Sequence, residues 1–412
     1  MTHARKMLSI LILLTGVLAP GIGCASRDLP DSYFAERPNP GSTGYIPILK
    51  PLSTGTRHVA EKIAAFDGFQ TTGIAVTPAG QLFLSSPRWH GNHGMSVIQV
   101  FTGKLTPPMP YPDADWNNWG PGARPERSWV CVQALLSDDL GRLWVLDSGA
   151  PLMQGPIDGA AKLVRIDPTT GKVEAVFLFD NEIAPEGSYL NDVRIDTASG
   201  FAYITDSGLG AIVAVDLSTG AAARFLEDHP STKAEPDVRL VIDGKPWVNA
   251  KGKTPMVHVD GIALSPDGEY IYYQALTSRR LYRARTAPIK AALRSGNFAS
   301  AQQRSADQQA VADTVESLGQ TFVTDGMMMD RRGTLYFTAL ERNAITARLA
   351  TGELTKVTAG EDLVWPDGLA IQNGRLYFTV ARINETGFNR PEGAVADGPF
   401  AVYRVPLLDP KK

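Results

Sequence analysis

Residues 260–273 read Asp-Gly-Ile-Ala-Leu-Ser-Pro-Asp-Gly-Glu-Tyr-Ile-Tyr-Tyr. A short apolar segment is followed by a turn at Pro266 to Gly268 and then by an aromatic-rich segment that begins at Tyr270. Two apolar runs joined by a turn that contains Gly are typical of a β-hairpin. We use this hairpin to predict the fold, because its pattern recurs along the chain.

The hairpin pattern occurs six times, and its first strand is often opened by an Asp-Gly pair. The six first strands are 72–76, 132–136, 191–195, 260–264, 325–329 and 367–371. Several copies are followed by a second alternating pair, such as 163–167 with a strand from Val173, so that each unit has about four strands. This repeat predicts an all-β fold, a six-bladed β-propeller with four-stranded antiparallel blades. A many-stranded β-sandwich is the alternative, and the sixfold repeat argues against it.

The two ends of the repeat region predict how the ring closes. Residues 402–405 read as a third strand with no fourth strand after it, and residues 59–66 form a spare strand before the first copy. Pairing the two strands leaves no open edge, so we expect the N-terminal strand to close the ring. The uneven spacing of the copies predicts long loops at 105–128, 229–256 and 288–315, with a short helix within 287–300.

The N-terminal residues have the features of an export signal. Arg5 and Lys6 precede an apolar run, and small residues lead to Cys24. We predict export to the periplasm or the extracellular space, with membrane attachment through a lipidated Cys24 as a further alternative. A retained anchor is the competing interpretation, although the run is short for a membrane span. The predicted boundaries are 1–24 for the signal peptide, 25–56 for a linker and 57–408 for the propeller.

The overall charge and the cysteine count narrow the function classes. The net charge is −3 over 412 residues, and no basic tract is interleaved with aromatics, so nothing indicates a nucleic-acid partner. The chain has two cysteines, Cys24 and Cys131. Because Cys131 lies in an apolar run with no other Cys nearby, we expect it to be a buried, inert thiol.

The Asp-Gly positions are the strongest candidates for a functional site. The first residue of each innermost strand should lie at a mouth of the channel, so we expect Asn191, Asp260, Asp325 and Asp367 to converge there, with Asp192 beside them. Oxygen ligands of this kind suit Ca²⁺ or another divalent cation, held by Asn191, Asp260 and Asp325. They also suit a cationic organic ligand, or a carboxylate acting as general base. Asp-Gly is equally typical of tight turns, which is the competing interpretation.

We predict that three further side chains take part. His258 lies two residues before Asp260, and the two-residue period of a strand would place both on one face, with Asp260, Asp325 and His258 as catalytic groups. Trp89 and Tyr111 belong to aromatic-rich loops that could form the wall of a small-molecule pocket. The alternative for these aromatics is packing against the face of the propeller.

Several of these stretches resemble the yellow/major royal jelly proteins. The resemblance rests on residues 83–89, on Gly141 to Gly149 with its Leu-Trp-Val-Leu-Asp-Ser-Gly ending, on 191–193 and on 260–265. It implies a six-bladed propeller, secretion and a channel-mouth pocket for small amines or aromatic metabolites. Some members of the family convert dopachrome, so the resemblance also implies this activity as a possibility for the chain's class.

A more distant resemblance is to the gluconolactonase/regucalcin propellers. It implies a divalent cation bound by Asn191 and Asp325, with Asp260 where that family has a second Asn. Thr72 replaces the expected Glu, and the Arg that holds the lactone would fall near Tyr189. The sequence therefore leaves three functions open: an amine-binding or amine-converting propeller, a metal-dependent lactonase, and a non-enzymatic interaction module.

Overall fold

The structure is a computed structural model that describes residues 58–90, 93–103, 107–249, 251–295, 301–386 and 399–409. The predicted signal peptide and linker, with Cys24, lie outside these residues. Within them the chain forms a six-bladed propeller of four-stranded antiparallel sheets, as the repeat predicted. None of the helices in these ranges is long and apolar enough to cross a membrane.

Each blade is a meander whose first strand lies innermost. Blade 1 contains β2 Ile74–Val76, β3 Leu82–Ser85, β4 Val97–Val100 and β5 Met109–Pro110. Blade 2 contains β6 Val132–Ser137, β7 Leu143–Asp147, β8 Lys162–Ile166 and β9 Val173–Leu178. Blade 3 contains β10 Leu190–Asp196, β11 Phe201–Asp206, β12 Ala211–Asp216 and β13 Ala222–Phe225.

The remaining blades follow in chain order after a small hairpin of β14 Val241–Ile242 and β15 Lys245–Pro246. Blade 4 contains β16 Val259–Leu264, β17 Tyr270–Ala275, β18 Arg280–Arg285 and β19 Glu316–Gln320. Blade 5 contains β20 Thr324–Met329, β21 Leu335–Ala339, β22 Ala344–Arg348 and β23 Leu354–Ala359. Blade 6 contains β24 Pro366–Gln372, β25 Arg375–Val380, β26 Phe400–Pro406 and, from the other end of the chain, β1 Glu61–Phe66.

The long loops hold the helices. The first long loop contains a single-turn helix, α1 Ala114–Asn117. The loop predicted at 288–315 contains two helices where one was expected, α2 Thr286–Ser295 and α3 Ala301–Ala312. Short 3₁₀ helices are found at Pro125–Arg127, Pro151–Met153, Pro230–Thr232, Leu340–Arg342 and Ile383–Glu385. The α2 helix presents Ile289, Ala292 and Leu293 to the apolar cluster between blades 3 and 4. The helical insertion therefore packs against blades 3 and 4.

The apolar core is divided among the spaces between neighbouring blades. One cluster joins Phe201 and Tyr203 of blade 3 to Ile262 and Tyr273 of blade 4, and comparable clusters lie between the other neighbouring pairs. Ring closure follows the prediction, because β1 pairs antiparallel with β26, from Glu61 opposite Arg404 to Phe66 opposite Phe400. Burial between blades thus joins the sheets into a closed ring.

The innermost strands of blades 2 to 6 share an irregularity at their first residues. The pairing with the second strand shifts register there, for example between Val259 and Gly261 in blade 4 and between Thr324 and Met327 in blade 5. A bulge of this kind breaks the alternation of side chains and re-aims one of them. The bulges coincide with the Asp-Gly positions, so they decide which side chains face the channel.

The glycines of the Asp-Gly pairs are required by the close approach of neighbouring blades. A Cβ atom added to Gly261 would lie 2.4 Å from the carbonyl oxygen of Asp325, and one added to Gly326 would lie 2.3 Å from that of Asp367. Asp260, Asp325 and Asp367 lie within strands β16, β20 and β24, so none of the three is a turn residue. The pairs therefore mark blade-to-blade contact at the channel.

Candidate functional site

The structure brings together the four side chains that the repeat phase singled out. Asn191, Asp260, Asp325 and Asp367 are 7%, 3%, 4% and 5% exposed, and all four line one cavity together with Asp192. The cavity has a volume of about 20 Å³. A cavity needs roughly 10–15 Å³ to hold one water molecule, so this space admits a single guest of that size. We call these five residues the acid cluster.

Asp325 lies between Asp260 and Asp367 in the order of the blades. The indole Nε1 of Trp365 donates to Asp325 Oδ2 over 2.7 Å, and the carboxyls of Asp260 and Asp367 lie near enough to Asp325 to interact with it electrostatically. Asn191 Nδ2 donates to Asp260 Oδ2 over 2.9 Å. Asp367 Oδ2 receives no hydrogen bond from the residues that the structure describes. One buried carboxylate oxygen thus faces the cavity without a donor.

Burial raises the pKa values of the carboxyls in this cluster. Desolvation is the main cause of the high pKa of Asp260 and Asp367, and the negative charge of Asp325 adds to it. Burial raises the pKa of Asp325 to about 6, and the hydrogen bonds from Trp365 and Asp260 limit the rise. The trio therefore retains protons at pH values where an isolated aspartate is ionised.

One cation, Arg194, lies beside the acid cluster. Its Nη1 donates to Asp192 Oδ1 over 2.8 Å, and its Nη2 donates to the carbonyl oxygen of Met327 on blade 5. The Val193 amide also donates to Asp192 Oδ1, over 2.9 Å. Burial raises the pKa of Asp192, and the charge of Arg194 opposes that rise. The guanidinium therefore crosses the channel from blade 3 to blade 5 and neutralises part of the cluster's charge.

Trp365 covers the cluster from the face where the innermost strands begin. Its backbone has a φ of 54°, in the left-handed region that non-glycine residues rarely adopt. Its ring lies 5.1 Å from that of Trp247, which belongs to the long loop between blades 3 and 4. Strained backbone persists where the surroundings hold it in place, and here it keeps the indole N–H on Asp325. This face of the channel is closed over the acid cluster.

The opposite end of the channel opens into a wide funnel. Its volume is about 1130 Å³, its wall includes Ile74, Leu136 and Met328, and Arg194 lies at the junction between the funnel and the acid cluster. The acidic residues of the funnel are largely engaged already. Asp196, for example, forms an ion pair of 2.7 Å with Lys290. The channel thus consists of a large partly apolar space, a buried arginine and a small acidic cavity.

The arrangement does not fit a preformed metal centre. No group of three or more Asp, Glu, His or Cys side chains in the described ranges surrounds a common point in the way that a metal requires. Asp260 accepts a hydrogen bond from Asn191, and Asp325 accepts one from Trp365. Thr72, where the lactonase-like pattern has Glu, donates its hydroxyl to the Gln133 carbonyl oxygen over 3.0 Å. The predicted metal ligands Asn191, Asp260 and Asp325 lie together at one cavity.

His258 does not join the acid cluster. Its ring Nδ1 accepts a hydrogen bond of 3.0 Å from the Ala234 amide in the loop between blades 3 and 4, and the residue lines neither cavity. The two-residue period on which the prediction rested is broken by the bulge between Val259 and Gly261. In this structure His258 positions a loop.

The two predicted pocket aromatics are also packed away from the cluster. Trp89 Nε1 donates to the Tyr189 hydroxyl over 2.6 Å, and that hydroxyl donates to Gln133 Oε1 over 2.9 Å. Tyr111 packs on Phe83 with 4.5 Å between the ring centres, and burial raises its pKa to about 12. Both aromatics are core residues, as the packing alternative proposed.

Comparison with known proteins identifies the family of this chain. The sequence profile described as Major royal jelly protein matches residues 130–389, which span blade 2 to blade 6 and include the whole acid cluster. The chain belongs to the major royal jelly protein family. Major royal jelly protein 5 of Apis mellifera is 24% identical over 280 residues, which are 65% of this chain and 42% of that protein. This chain therefore spans less than half the length of that relative.

Solved structures are also similar to this family member. A luciferin-regenerating enzyme is 13% identical, with a TM-score of 0.50 over 85% of this chain and 96% of that chain. A gluconolactonase from Xanthomonas campestris is 14% identical, with a TM-score of 0.45 over 87% of this chain and 99% of that chain. At these identities the likeness concerns the fold alone.

The motif that carries the family resemblance has a structural role in this chain. Asp147, in Leu-Trp-Val-Leu-Asp-Ser-Gly, accepts hydrogen bonds from the amides of Val130, Cys131 and Gly149, and forms an ion pair of 2.8 Å with Lys162. Both charged side chains are fully buried. Cys131 is buried and its pKa is raised to about 12, in agreement with an inert thiol. The most specific motif therefore stabilises blade 2 and lies apart from the acid cluster.

Sequence reasoning missed Arg194 and Trp365. Arg194 reaches blade 5 and Trp365 reaches Asp325, and both contacts depend on how the blades are arranged around the ring. One signal was available for Arg194, which is a charged residue inside an innermost strand. At the same repeat position the other copies have Ala75, Leu135, Ala263, Met328 and Ala370.

Proposed function

We propose that this family member binds a small organic cation, an amine or an aromatic amine, in the propeller channel. The observation that carries the proposal is the acid cluster, in which four carboxyls face one cavity beside a single buried guanidinium. Asp367 Oδ2 supports it, because this buried oxygen has no donor among the described residues. An ammonium head group, close in size to a water molecule, suits a cavity of about 20 Å³.

The two spaces of the channel suit the two parts of such a ligand. The ammonium group would lie in the acid cluster, and an aromatic or aliphatic body would lie against the apolar wall of the funnel. Ligand pockets commonly combine a mostly apolar wall with a few convergent polar groups.

Calorimetric titration tests the proposal with a matched pair of ligands. We expect phenethylamine to bind at pH 7 at least ten times more tightly than 2-phenylethanol, which has the same ring and no charge. Binding of the amine should weaken toward pH 4, because the carboxyls take up protons. Equal binding of the two compounds would contradict recognition of a cation.

Further titrations separate the competing functions. Hydrolysis of gluconolactone that depends on added Ca²⁺ would favour the metal-dependent lactonase. Absence of any response to amines, Ca²⁺ or lactone would favour a non-enzymatic interaction module. Thermal shift gives a second readout, because a ligand that binds the native state raises the melting temperature.

Conversion of the bound ligand is the second candidate function, and one observation favours it. Asp260 and Asp325 line one cavity, and burial raises the pKa of both carboxyls. A paired carboxylate and carboxylic acid can remove a proton from one atom of a substrate and deliver one to another, which is a tautomerisation with no net change in atoms or electrons. Dopachrome conversion that is lost in both Asp325→Asn and Asp260→Asn would support it.

Export forms part of the proposal. It rests on Arg5, Lys6 and the apolar run before Cys24 in the sequence. Mass spectrometry of the protein from its native host should find an N-terminus at Cys24 or Ala25, with lipid on Cys24 if the chain is anchored. An intact, unmodified Met1 would contradict export.

A further inference from the structure

Arg194 lies at the junction between the funnel and the acid cluster. The residue is 7% exposed, lines the funnel, and pairs with Asp192, which lines the acidic cavity. Its Nη2 bonds the carbonyl oxygen of Met327, two blades away around the ring. The side chain therefore spans the channel and separates the two spaces.

The contacts of this side chain leave it incompletely satisfied. Nη1 is shared between Asp192 Oδ1 and the Val193 carbonyl oxygen, at 2.8 and 2.5 Å. Nε is buried with no acceptor among the residues that the structure describes. A buried donor without an acceptor is unfavourable, so Arg194 is held in this position less firmly than a fully bonded arginine would be.

Charge explains why an arginine stays in this place. The described lining of the acidic cavity includes Asp192, Asp260, Asp325 and Asp367 and no cationic side chain, and Arg194 reaches this lining through its ion pair with Asp192. The guanidinium thus already occupies the position that a ligand cation coming from the funnel would need. It is a resident counter-ion with the same charge as the proposed ligand.

We propose that Arg194 is a displaceable plug, which a ligand's ammonium group replaces beside Asp192 when the ligand enters from the funnel. The inference rests on the proposed function and adds a residue that determines specificity. Neutral ligands cannot replace the positive charge of Arg194 and are therefore excluded from the acidic cavity. The ammonium group of an amine replaces that charge, and the guanidinium is then free to move into the funnel.

The test compares Arg194→Met with Arg332→Met by calorimetric titration of phenethylamine. Both variants remove one positive charge from the funnel lining, and Arg332 is exposed and lies at the turn of blade 5. We expect Arg194→Met to bind phenethylamine at least tenfold more tightly than the wild type, and Arg332→Met to bind like the wild type. Adding Asp192→Asn to Arg194→Met should remove the gain in affinity for phenethylamine. Circular dichroism establishes that each variant is folded, and Arg194→Gln, which keeps a donor for Met327, replaces Arg194→Met if that variant does not fold.

The outcomes separate the plug from the proposed function. Binding by the wild type with no gain in the Arg194 variants would overturn the plug and leave amine binding standing. Binding by the Arg194 variants alone would support the plug and overturn amine binding by the wild type. Absence of binding in all variants would overturn both.

Discussion

Asp325 is the residue on which the acid cluster depends most, because it accepts the Trp365 N–H and lies between Asp260 and Asp367. We expect Asp325→Asn to abolish amine or cation binding while the chain still folds, because Asn removes the charge and keeps an oxygen that can accept from Trp365. The free energy of unfolding should be unchanged or higher, since burial disfavours this charge. Titration calorimetry and urea denaturation measure the two effects.

The matched control is Asp180→Asn. Asp180 caps an exposed turn by accepting from the Glu182 amide over 2.9 Å, and Asn makes the same turn. Affinity and stability should both stay at the wild-type level. Equal ligand affinity in wild type and Asp325→Asn would rule out a site that uses this carboxylate.

Lys162 provides a second prediction at this scale. Replacing it with Met leaves the Asp147 carboxylate buried without its cation, which typically destabilises a protein by about 3–5 kcal/mol. Urea denaturation should show this loss, whereas Arg331→Met, which breaks an exposed ion pair with Asp139, should have little effect. A small decrease in the free energy of unfolding in both variants would show that the three amide donors stabilise the Asp147 carboxylate sufficiently without Lys162.

The residues of the site show what sequence can predict. The repeat phase located Asn191, Asp260, Asp325 and Asp367 because every blade uses the same backbone path. It could not place His258, because a bulge interrupts the alternation, nor Arg194 and Trp365, whose partners lie on other blades or loops. The sequence of a single repeat does not show which residues of other blades its side chains will contact.

At the scale of elements, the innermost strands are held close by glycine. We expect Gly326→Ala to destabilise the protein by more than 2 kcal/mol, because its Cβ would lie 2.3 Å from the Asp367 carbonyl oxygen and the rigid neighbouring strand must move. Gly120→Ala is the control, since an added Cβ there meets no atom within 4 Å. Thermal denaturation should separate the two variants; similar melting temperatures would show that the blades can shift apart freely.

Strands were more predictable than the insertions between them. Each hairpin was located from its alternation and its Gly-containing turn, because those signals are local. The loop after β18 holds both α2 and α3, although one short helix was expected. Exposed and mostly polar, α3 lacks the apolar stripe by which a helix is recognised in a sequence.

For the whole molecule, the acid cluster sets the pH dependence of stability. The pKa of Asp325 is about 6 in the folded state, whereas an unfolded Asp has a pKa of about 4. Between these values the native state binds more protons than the unfolded state, so the free energy of unfolding should fall as the pH rises from about 4 to about 6. Asp260 and Asp367, with pKa values raised further, should continue the fall above that range.

Denaturation with urea at a series of pH values measures this slope. It should be shallower in Asp325→Asn than in the wild type, and unchanged in Asp180→Asn. Ligand binding should show the opposite trend and strengthen as the pH rises, because binding needs the ionised carboxylates. Identical slopes in all three proteins would contradict a cluster that retains protons.

Ring closure gives a prediction about the complete propeller. A variant that begins at residue 67 lacks β1, so β26 becomes an unpaired edge and the contacts of Ile63, Ala64 and Phe66 with the cluster between blades 6 and 1 are lost. Compared with a variant that begins at residue 58, it should have a lower melting temperature and should aggregate on size-exclusion chromatography. Equal behaviour of the two variants would show that three strands suffice for blade 6.

The pairing of β1 with β26 also dictates a timetable for synthesis. The strand β1 is synthesised about 340 positions before its partner β26. Blades 1 to 5 pair within themselves and can form in sequence, whereas blade 6 cannot close before β26 has been made. Contacts between such distant positions slow folding, so the ring stays open during that interval. A polypeptide that threads through a membrane before folding gains time from that delay.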